Sequence, residues 1–176
     1  MGVFYRIRQG LASLVARMGA EDWALVDQHL SPSERLLFEA LATPDQVHSV
    51  RVLRSLLGAG VTDPILLKAA LLHDVGKSRC RITVVHRTTA VLLRAVLGGI
   101  PAFDIRSDGR RWWLPLYVLA NHPRIGAYML AKAGTEERVW RLVELHQLDP
   151  CDVRNLPDAE WVRPALVALR RADNQN

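Results

Sequence analysis

Apolar residues recur along this chain with the spacing of an α-helix. The segments GLASLVARM and RVLRSLLGAG place them three and four positions apart, which puts them on one face of a helix. We find no segment with the alternation of apolar and polar residues that is typical of a half-buried strand, and no internal repeat. The sequence therefore predicts an all-α fold whose helices bury their apolar faces against one another.

Local signals predict where several helices begin and end. Asp63 and Pro64 are typical of an N-cap followed by proline in the first turn, so we expect a helix from there to about Val75. Gly134 and Thr135 are typical of a helix end followed by the N-cap of the next helix. A last helix is expected over PDAEWVRPALVALRRAD, with a kink at its internal proline.

The length of the chain fits one domain with a small N-terminal extension. Of its 176 residues 49% are hydrophobic, enough for a substantial core. Pro32 and the pair Thr43-Pro44 interrupt the helical pattern, so we expect a helical extension over residues 1–42 and the main domain over residues 43–176. The basic segment VFYRIRQGLASLVARM is compatible with a membrane surface, but such segments more often pack on their own domain, and we favour packing.

Composition limits the compartment and the partners. Cys80 and Cys151 form neither a CxxC motif nor a disulfide framework, which favours a reducing, cytoplasmic setting. No apolar run reaches the length of a membrane span, and the N-terminus lacks the apolar region of a signal peptide. The formal net charge of +5 fits an anionic ligand. No nucleic-acid-binding motif is present, and we expect no nucleic-acid partner.

Histidines and aspartates stand at helix ends in the predicted pattern. One histidine closes the apolar helix in AALLHDVGK, one closes RLVELH, and two open HSVRVLRSLL and HPRIGAYML. Helix ends meet at one end of a bundle, and bundles build metal sites from facing helices. Neutral imidazole with carboxylate suits iron, manganese, cobalt, nickel or zinc. The candidate ligands are His48, His73, Asp74, His122, His146 and Asp173.

The order of these residues resembles the HD-domain superfamily of metal-dependent phosphohydrolases. The matching stretches are QVHSVRV, AALLHDVGK, NHPRIGAYML, ELHQ and ALRRAD. The resemblance implies an all-α bundle that binds two divalent metal ions. It implies that the first ion is held by His48, His73, Asp74 and Asp173. In members with six ligands, the second ion is held by His122 and His146, and Asp74 bridges both ions.

The resemblance also implies a reaction, the hydrolysis of a nucleotide or dinucleotide phosphate by water that the two metals activate. Asp74 and Lys77 are then the catalytic residues, with Lys77 in the place of the family's phosphate-facing basic residue. After His146 the chain reads QLDPCD, without the Gly-Tyr-Pro motif of the branch that hydrolyses cyclic-di-GMP. The layout is closer to the branch that splits diadenosine tetraphosphate symmetrically, which usually has His-Thr where this chain has His146-Gln147.

Other interpretations remain open. The chain could be a non-catalytic HD-fold sensor or scaffold that binds a nucleotide without hydrolysing it. Asp149 and Asp152 lie near His146 and could replace Asp173 as the last carboxylate, although LDPCD does not match the expected helix end.

Basic and aromatic residues outside the pattern have simpler interpretations. A basic run could meet phosphates, but such runs are usually solvated; its members are Arg79, Arg81 and Arg87. Three aromatic residues could stack on a base, but we favour the core for Trp112, Trp113 and Tyr117. His86 is expected to be an ordinary helix residue or a substrate contact, and GGIPAFDIRSDGR is typical of a loop.

Overall fold

A computed structural model describes residues 17–97 and 113–176 of the chain. These residues contain no strand, which confirms the all-α prediction. The α-helices of the described residues are α1 Ala20–His29, α2 Pro32–Glu39, α3 Thr43–Gly58, α4 Pro64–Leu72, α5 Val84–Leu97, α6 Leu114–Lys132, α7 Glu137–Leu145 and α8 Ala159–Gln175. A 3-10 helix, Val75–Arg79, connects α4 to α5.

Helix α4 lies at the centre of the bundle. Seven of its nine residues are buried, so it has an apolar surface on nearly every side and needs neighbours all around. Helices α1, α2, α3, α7 and α8 supply those neighbours. The carboxylate of Asp63 accepts a hydrogen bond from the backbone N–H of Ile65 at 2.9 Å, which confirms the predicted N-cap. The helix ends at Leu72, earlier than Val75, because the chain tightens there into the 3-10 helix.

One large hydrophobic core and one small one hold the described residues together. The large core joins α4 to the helices around it, and its fully buried members include Leu53, Leu72 and Leu142. The small core lies between α5 and α6, where Ala90 and Leu116 pack against each other. Helix α6 also packs against α7 and against the 3-10 helix. The turn after α4 is therefore enclosed between the centre of the bundle and α6.

Helices α1 and α2 pack on the large core: Val26 and Phe38 are fully buried members of it. Residues 1–16, the expected loop after Gly98 and Trp112 lie outside the described residues. Helices α2 and α3 begin at Pro32 and Thr43, the two breaks in the sequence pattern. Among the described helices, none combines the length and the apolar composition that crossing a bilayer requires.

The boundary between α6 and α7 differs by one residue from the prediction. Gly134 has the positive φ of 77° that a helix C′ position requires, as expected. Thr135 is not the N-cap of α7, and that prediction is wrong. Its backbone N–H donates to the carbonyl of Leu130 at 3.0 Å and so closes α6, and the N-cap position passes to Glu136.

Candidate metal centre

The structure brings the six predicted ligands together from five parts of the bundle. Four imidazole rings follow one another through the interior. The ring centroids of His48 and His73 are 5.4 Å apart, those of His73 and His146 are 5.2 Å apart, and those of His146 and His122 are 5.2 Å apart. Three of these side chains are buried, and His48 is half-buried. Burying imidazoles inside an apolar bundle costs free energy, because they lose their hydrogen bonds to water. A charged group or a metal ion that binds them would offset this cost.

Two histidines lie in the middle of helices and not at their ends. His73 and His146 are the C-cap residues of α4 and α7, as predicted. His48 lies inside α3, and His122 lies inside α6, so the prediction that these residues open their helices is wrong. The proline at position 123 misled the prediction, because α6 continues through it.

The three buried imidazoles share one orientation. In each, the Nδ1–H donates to the backbone carbonyl three residues earlier, and because a carbonyl oxygen can only accept, Nδ1 must carry the proton. In the neutral ring the lone pair is then on the other nitrogen, Nε2, which is directed into the cluster, as a metal ligand requires. The three pairs are His73 with Ala70 at 2.9 Å, His122 with Leu119 at 3.0 Å and His146 with Val143 at 2.7 Å.

The local backbone explains why these carbonyls are free to accept. Ala70 and Val143 lie in the last turns of α4 and α7, whose carbonyls have no donor further along the helix. Leu119 lies in the middle of α6, where the residue four positions later would normally donate. That residue is Pro123, which has no N–H, so the carbonyl of Leu119 receives the imidazole of His122.

Asp74 lies where the histidines converge. Its side chain is 2% exposed. One carboxylate oxygen, Oδ1, is 3.2 Å from Nε2 of His122, and the other, Oδ2, is 3.5 Å from Nε2 of His73. Lys77 contacts Oδ2 through its ammonium at 2.5 Å. Each oxygen of this one carboxylate therefore faces a different histidine.

The donor atoms form two groups that share Asp74. The members of the first group are His48, His73 and Asp74, and those of the second are Asp74, His122 and His146. Within each group the ligand atoms lie within 4.8 Å of one another, close enough to hold a metal ion. Asp173 lies beside the first group, with Oδ1 at 2.8 Å from Nε2 of His48 and 3.8 Å from Nε2 of His73.

The protonation states of the cluster fit a divalent cation. Burial, followed by the neighbouring imidazoles of His73 and His122, lowers the pKa of His146 to about 3. Burial likewise lowers the pKa of His122. At neutral pH both rings are thus uncharged and can donate lone pairs. Nε2 of His73 is buried without a hydrogen-bond partner among the described residues, a cost that a metal ion would remove.

The two carboxylates stay ionised in spite of their burial. Burial raises the pKa of Asp74, but the ammonium of Lys77, followed by the neighbouring imidazoles of His73 and His122, opposes it, and the pKa falls well below its usual range. Burial raises the pKa of Asp173, but the hydrogen bond with His48 and the neighbouring imidazole of His73 outweigh it, and the pKa falls to about 2. Neutral imidazoles and ionised carboxylates together make the mixed nitrogen and oxygen donor set of transition-metal and zinc sites.

Two glycines hold Asp74 against α6. Gly76 lies in the 3-10 helix so close to α6 that a Cβ atom there would be 2.1 Å from the carbonyl oxygen of His122 and 2.8 Å from the backbone nitrogen of Gly126. A Cβ on Gly126 would in turn lie 3.2 Å from the backbone nitrogen of Gly76. The backbones of the 3-10 helix and of α6 are therefore in direct contact at these two glycines. This contact places the carboxylate of Asp74 next to the imidazole of His122.

Three residues near the cluster were missed or left undecided by the sequence. Asp45, in the first turn of α3, pairs with both terminal nitrogens of Arg87, at 3.0 and 2.6 Å. It lies three positions before His48, on the same helix face, and this spacing is the signal that could have identified it. The amide Nε2 of Gln147 donates to Nε2 of His122 at 3.2 Å. In the sequence, the one signal for Gln147 was its position directly after His146.

Other candidates lie away from the cluster. Asp149 and Asp152 are exposed, and Asp149 accepts a hydrogen bond from the backbone of Cys151 at 2.8 Å. His86 accepts a hydrogen bond from the hydroxyl or backbone N–H of Thr83 at the start of α5. Two basic residues are exposed, Arg79 and Arg81. Of the aromatic residues, Trp113 is half-buried against the small core, as favoured, and Tyr117 is 37% exposed.

Comparisons of the chain with models of protein families, with curated proteins and with solved structures give no match. The assignment of the site therefore depends on the geometry and the chemistry of its own residues.

Proposed function

We propose that this chain is an HD-domain phosphohydrolase that uses two divalent metal ions to hydrolyse a nucleotide or dinucleotide phosphate. The observation that carries the proposal is the position of Asp74, a buried carboxylate with one oxygen toward each of two histidine groups. A carboxylate shared in this way keeps two cations close to each other in spite of their mutual repulsion. The sequence of ligand residues along the chain, which resembles that of the HD superfamily, supports the same assignment.

The protein contributes orientation and charge to this reaction. The backbone carbonyls of Ala70, Leu119 and Val143 fix the imidazoles with Nε2 toward the cluster. The ionised carboxylates of Asp74 and Asp173 supply the negative charge that a pair of cations needs. When bound, the two metal ions activate water and neutralise the oxygens of the phosphoryl group. Lys77 supplies an ammonium group beside Asp74 that can contact those oxygens.

Two contacts favour a second candidate, a sensor or scaffold that binds a nucleotide without hydrolysing it. The ammonium of Lys77 lies on Oδ2 of Asp74, and the amide of Gln147 lies on Nε2 of His122. These contacts occupy Oδ2 of Asp74 and Nε2 of His122, two atoms that would bind metal in the phosphohydrolase. If the protein keeps these contacts in solution, the cluster is a closed polar network, and its function is binding.

Hydrolysis assays on purified protein, which detect both free phosphate and the nucleotide products, separate the two candidates. The protein is loaded in turn with Mn²⁺, Fe²⁺, Co²⁺, Ni²⁺ and Zn²⁺ and tested on mononucleotides, cyclic nucleotides, nucleoside triphosphates and diadenosine tetraphosphate. We expect turnover of at least one of them. Asp74→Asn should abolish turnover and reduce the metal content, because it removes the charge that both groups share. Asp152→Asn, which changes an exposed carboxylate outside the cluster, should alter neither.

Two results would contradict the proposal. A protein that binds two metal ions and is inert on the whole panel would favour the sensor. If Asp74→Asn kept its metal content and its turnover, the assignment of Asp74 as the shared ligand would be wrong.

A further inference from the structure

A further buried acidic residue, Asp45, lies beside the metal centre without belonging to it. Asp45 is 4% exposed, and its two carboxylate oxygens accept hydrogen bonds from the two terminal nitrogens of Arg87 at 3.0 and 2.6 Å. Its Oδ1 is also 4.0 Å from the ammonium of Lys77. Asp45 therefore has two basic side chains around it, one from α5 and one from the 3-10 helix.

Helix geometry connects this group to the metal centre. Asp45 and His48 lie three positions apart in α3, so both are on the face that looks toward the cluster. Asp74 and Lys77 are also three positions apart, and their side chains are in contact. The charges consequently alternate in the order Asp74, Lys77, Asp45, Arg87, with an acidic residue of the metal centre at one end.

Metal binding would change the charge balance of this row. Without metal, two carboxylates face two basic side chains, and the row is neutral. When the carboxylate of Asp74 binds metal ions, they neutralise its negative charge. Asp45 is then the one carboxylate of the row that still balances the positive charges of Lys77 and Arg87. One carboxylate cannot neutralise two basic groups next to a cationic centre. The site then has excess positive charge, which favours the binding of an anion.

The exposed fractions indicate where that anion would lie. The side chain of Lys77 is 16% exposed, and that of Arg87 is 35% exposed. Arg87 uses one N–H on each terminal nitrogen for Asp45, which leaves three further N–H donors on the guanidinium. Lys77 is thus the inner and Arg87 the outer of two basic groups on one side of the metal centre. The neighbouring carboxylates also raise the pKa of Arg87 against the effect of burial, so its charge is permanent.

We propose that Lys77 and Arg87, held in place by Asp45, form a phosphate subsite beside the metal centre, so that the substrate carries at least two linked phosphates. The proposal rests on the proposed function, because the anion is needed only once Asp74 binds metal. It assigns the scissile phosphate to the metal centre and the next phosphate to the two basic side chains. Arginine suits that role, because its planar fork matches the oxygens of a phosphate.

Calorimetric titration of the Mn²⁺-loaded protein with pyrophosphate and with orthophosphate tests the subsite. The metal content is measured after each titration, because pyrophosphate also chelates metal. We expect the wild-type protein to bind pyrophosphate more tightly than orthophosphate. Arg87→Gln should weaken pyrophosphate binding about tenfold, the effect of one charge-assisted contact, with orthophosphate binding and metal content unchanged. The matched control is Arg81→Gln, which changes an exposed arginine three residues before the start of α5 and should not change either affinity.

Two further variants guard against a folding defect. Arg87→Lys keeps the charge without the fork and should weaken pyrophosphate binding by less than Arg87→Gln. The double variant Asp45→Asn with Arg87→Gln leaves no unpaired buried carboxylate and should fold, while its preference for pyrophosphate is still lost. A metal-loaded Arg87→Gln protein that keeps the wild-type preference for pyrophosphate overturns the subsite alone. A wild-type protein that binds no metal overturns the proposed function and the subsite together.

Discussion

At the scale of single residues, the molecule contains buried carboxylates of two kinds. Glu34 is 2% exposed, and its Oε2 has two protein donors: the backbone N–H of Ser31 at 2.8 Å and the ammonium of Lys68 at 3.1 Å. Asp74 is equally buried, but it faces two imidazole lone pairs and a single ammonium. A metal ion between the carboxylate and these lone pairs would satisfy both. The contacts of Glu34 are thus structural, whereas those of Asp74 make it a candidate metal ligand.

The structural role of Glu34 predicts how stability depends on pH. Burial raises the pKa of Glu34, but the hydrogen bond from Ser31 and the pair with Lys68 lower it below 4.5, its ordinary value. Its stabilising contribution is therefore complete above pH 4.5 and is lost as the pH falls through the lower pKa of the folded state. Glu34→Gln should reduce the free energy of unfolding of the metal-free protein by about 2 kcal/mol at pH 7, and by less near pH 3.

Urea denaturation of the wild type and the variant at both pH values measures this difference. The control is Glu39→Gln on the same helix, whose pair with Arg35 is 40% exposed on the carboxylate side and should contribute less than about 1 kcal/mol. An equal effect of Glu34→Gln at both pH values would show that its charge does not stabilise the fold.

At the scale of elements, the 3-10 helix Val75–Arg79 and α6 have to approach each other backbone to backbone. The glycines that allow this contact stand in HDVGK and in HPRIGA, the two stretches that carry Asp74 and His122. The fold and the candidate site thus depend on the same two small residues.

Gly76→Ala should damage both stability and metal binding. The added Cβ would meet backbone atoms of α6, which cannot turn aside as a side chain would. We expect a loss of about 3 kcal/mol in the free energy of unfolding and a weaker affinity for Mn²⁺, measured by denaturation and by calorimetry. Gly58→Ala is the control, because a Cβ at that last residue of α3 meets nothing within 4 Å; it should stabilise the protein by up to about 1 kcal/mol.

Pro123→Ala should separate stability from metal binding. The alanine restores an N–H that can donate to the carbonyl of Leu119 and so compete with the imidazole of His122. We expect a higher melting temperature of the metal-free protein, since proline is unfavourable inside a helix, and about a tenfold lower affinity for Mn²⁺. Pro164→Ala, the same change inside α8, should raise the melting temperature and leave the affinity unchanged. Unchanged affinity in Pro123→Ala would mean that the carbonyl does not orient His122.

The elements that the sequence predicted well have local causes. The cap at Asp63, the positive φ of Gly134 and the histidine that ends α4 depend on neighbours in the chain, and the pattern of those neighbours is visible in the sequence. His122 was misplaced because a proline usually starts a helix, and nothing local shows that α6 continues through Pro123. The choice of Arg87 from among three arginines depends on the approach of α5 to α3, which only tertiary packing decides.

At the scale of the whole molecule, the apolar helix α4 explains why the cluster lies inside the bundle. Its surface is buried on nearly every side, so the turn that follows it, with His73 and Asp74, is carried into the interior. Three of the helices that cover α4, namely α3, α7 and α8, supply His48, His146 and Asp173, and α6, which packs against the 3-10 helix, supplies His122. The resemblance in the order of the six candidates already implied two groups that share Asp74, and the assembled bundle places the side chains in two such groups. The distances and the burial of these side chains could not be read from the sequence.

Anomalous X-ray diffraction from crystals of the Mn²⁺-loaded protein would locate the metal ions. We expect two anomalous peaks inside the bundle, one next to His48 and His73 and the other next to His122 and His146, with Asp74 between them as a ligand of both. A single peak that does not touch Asp74, or density that leaves Lys77 on Oδ2 of Asp74 with no peak beside it, would contradict the two-metal centre.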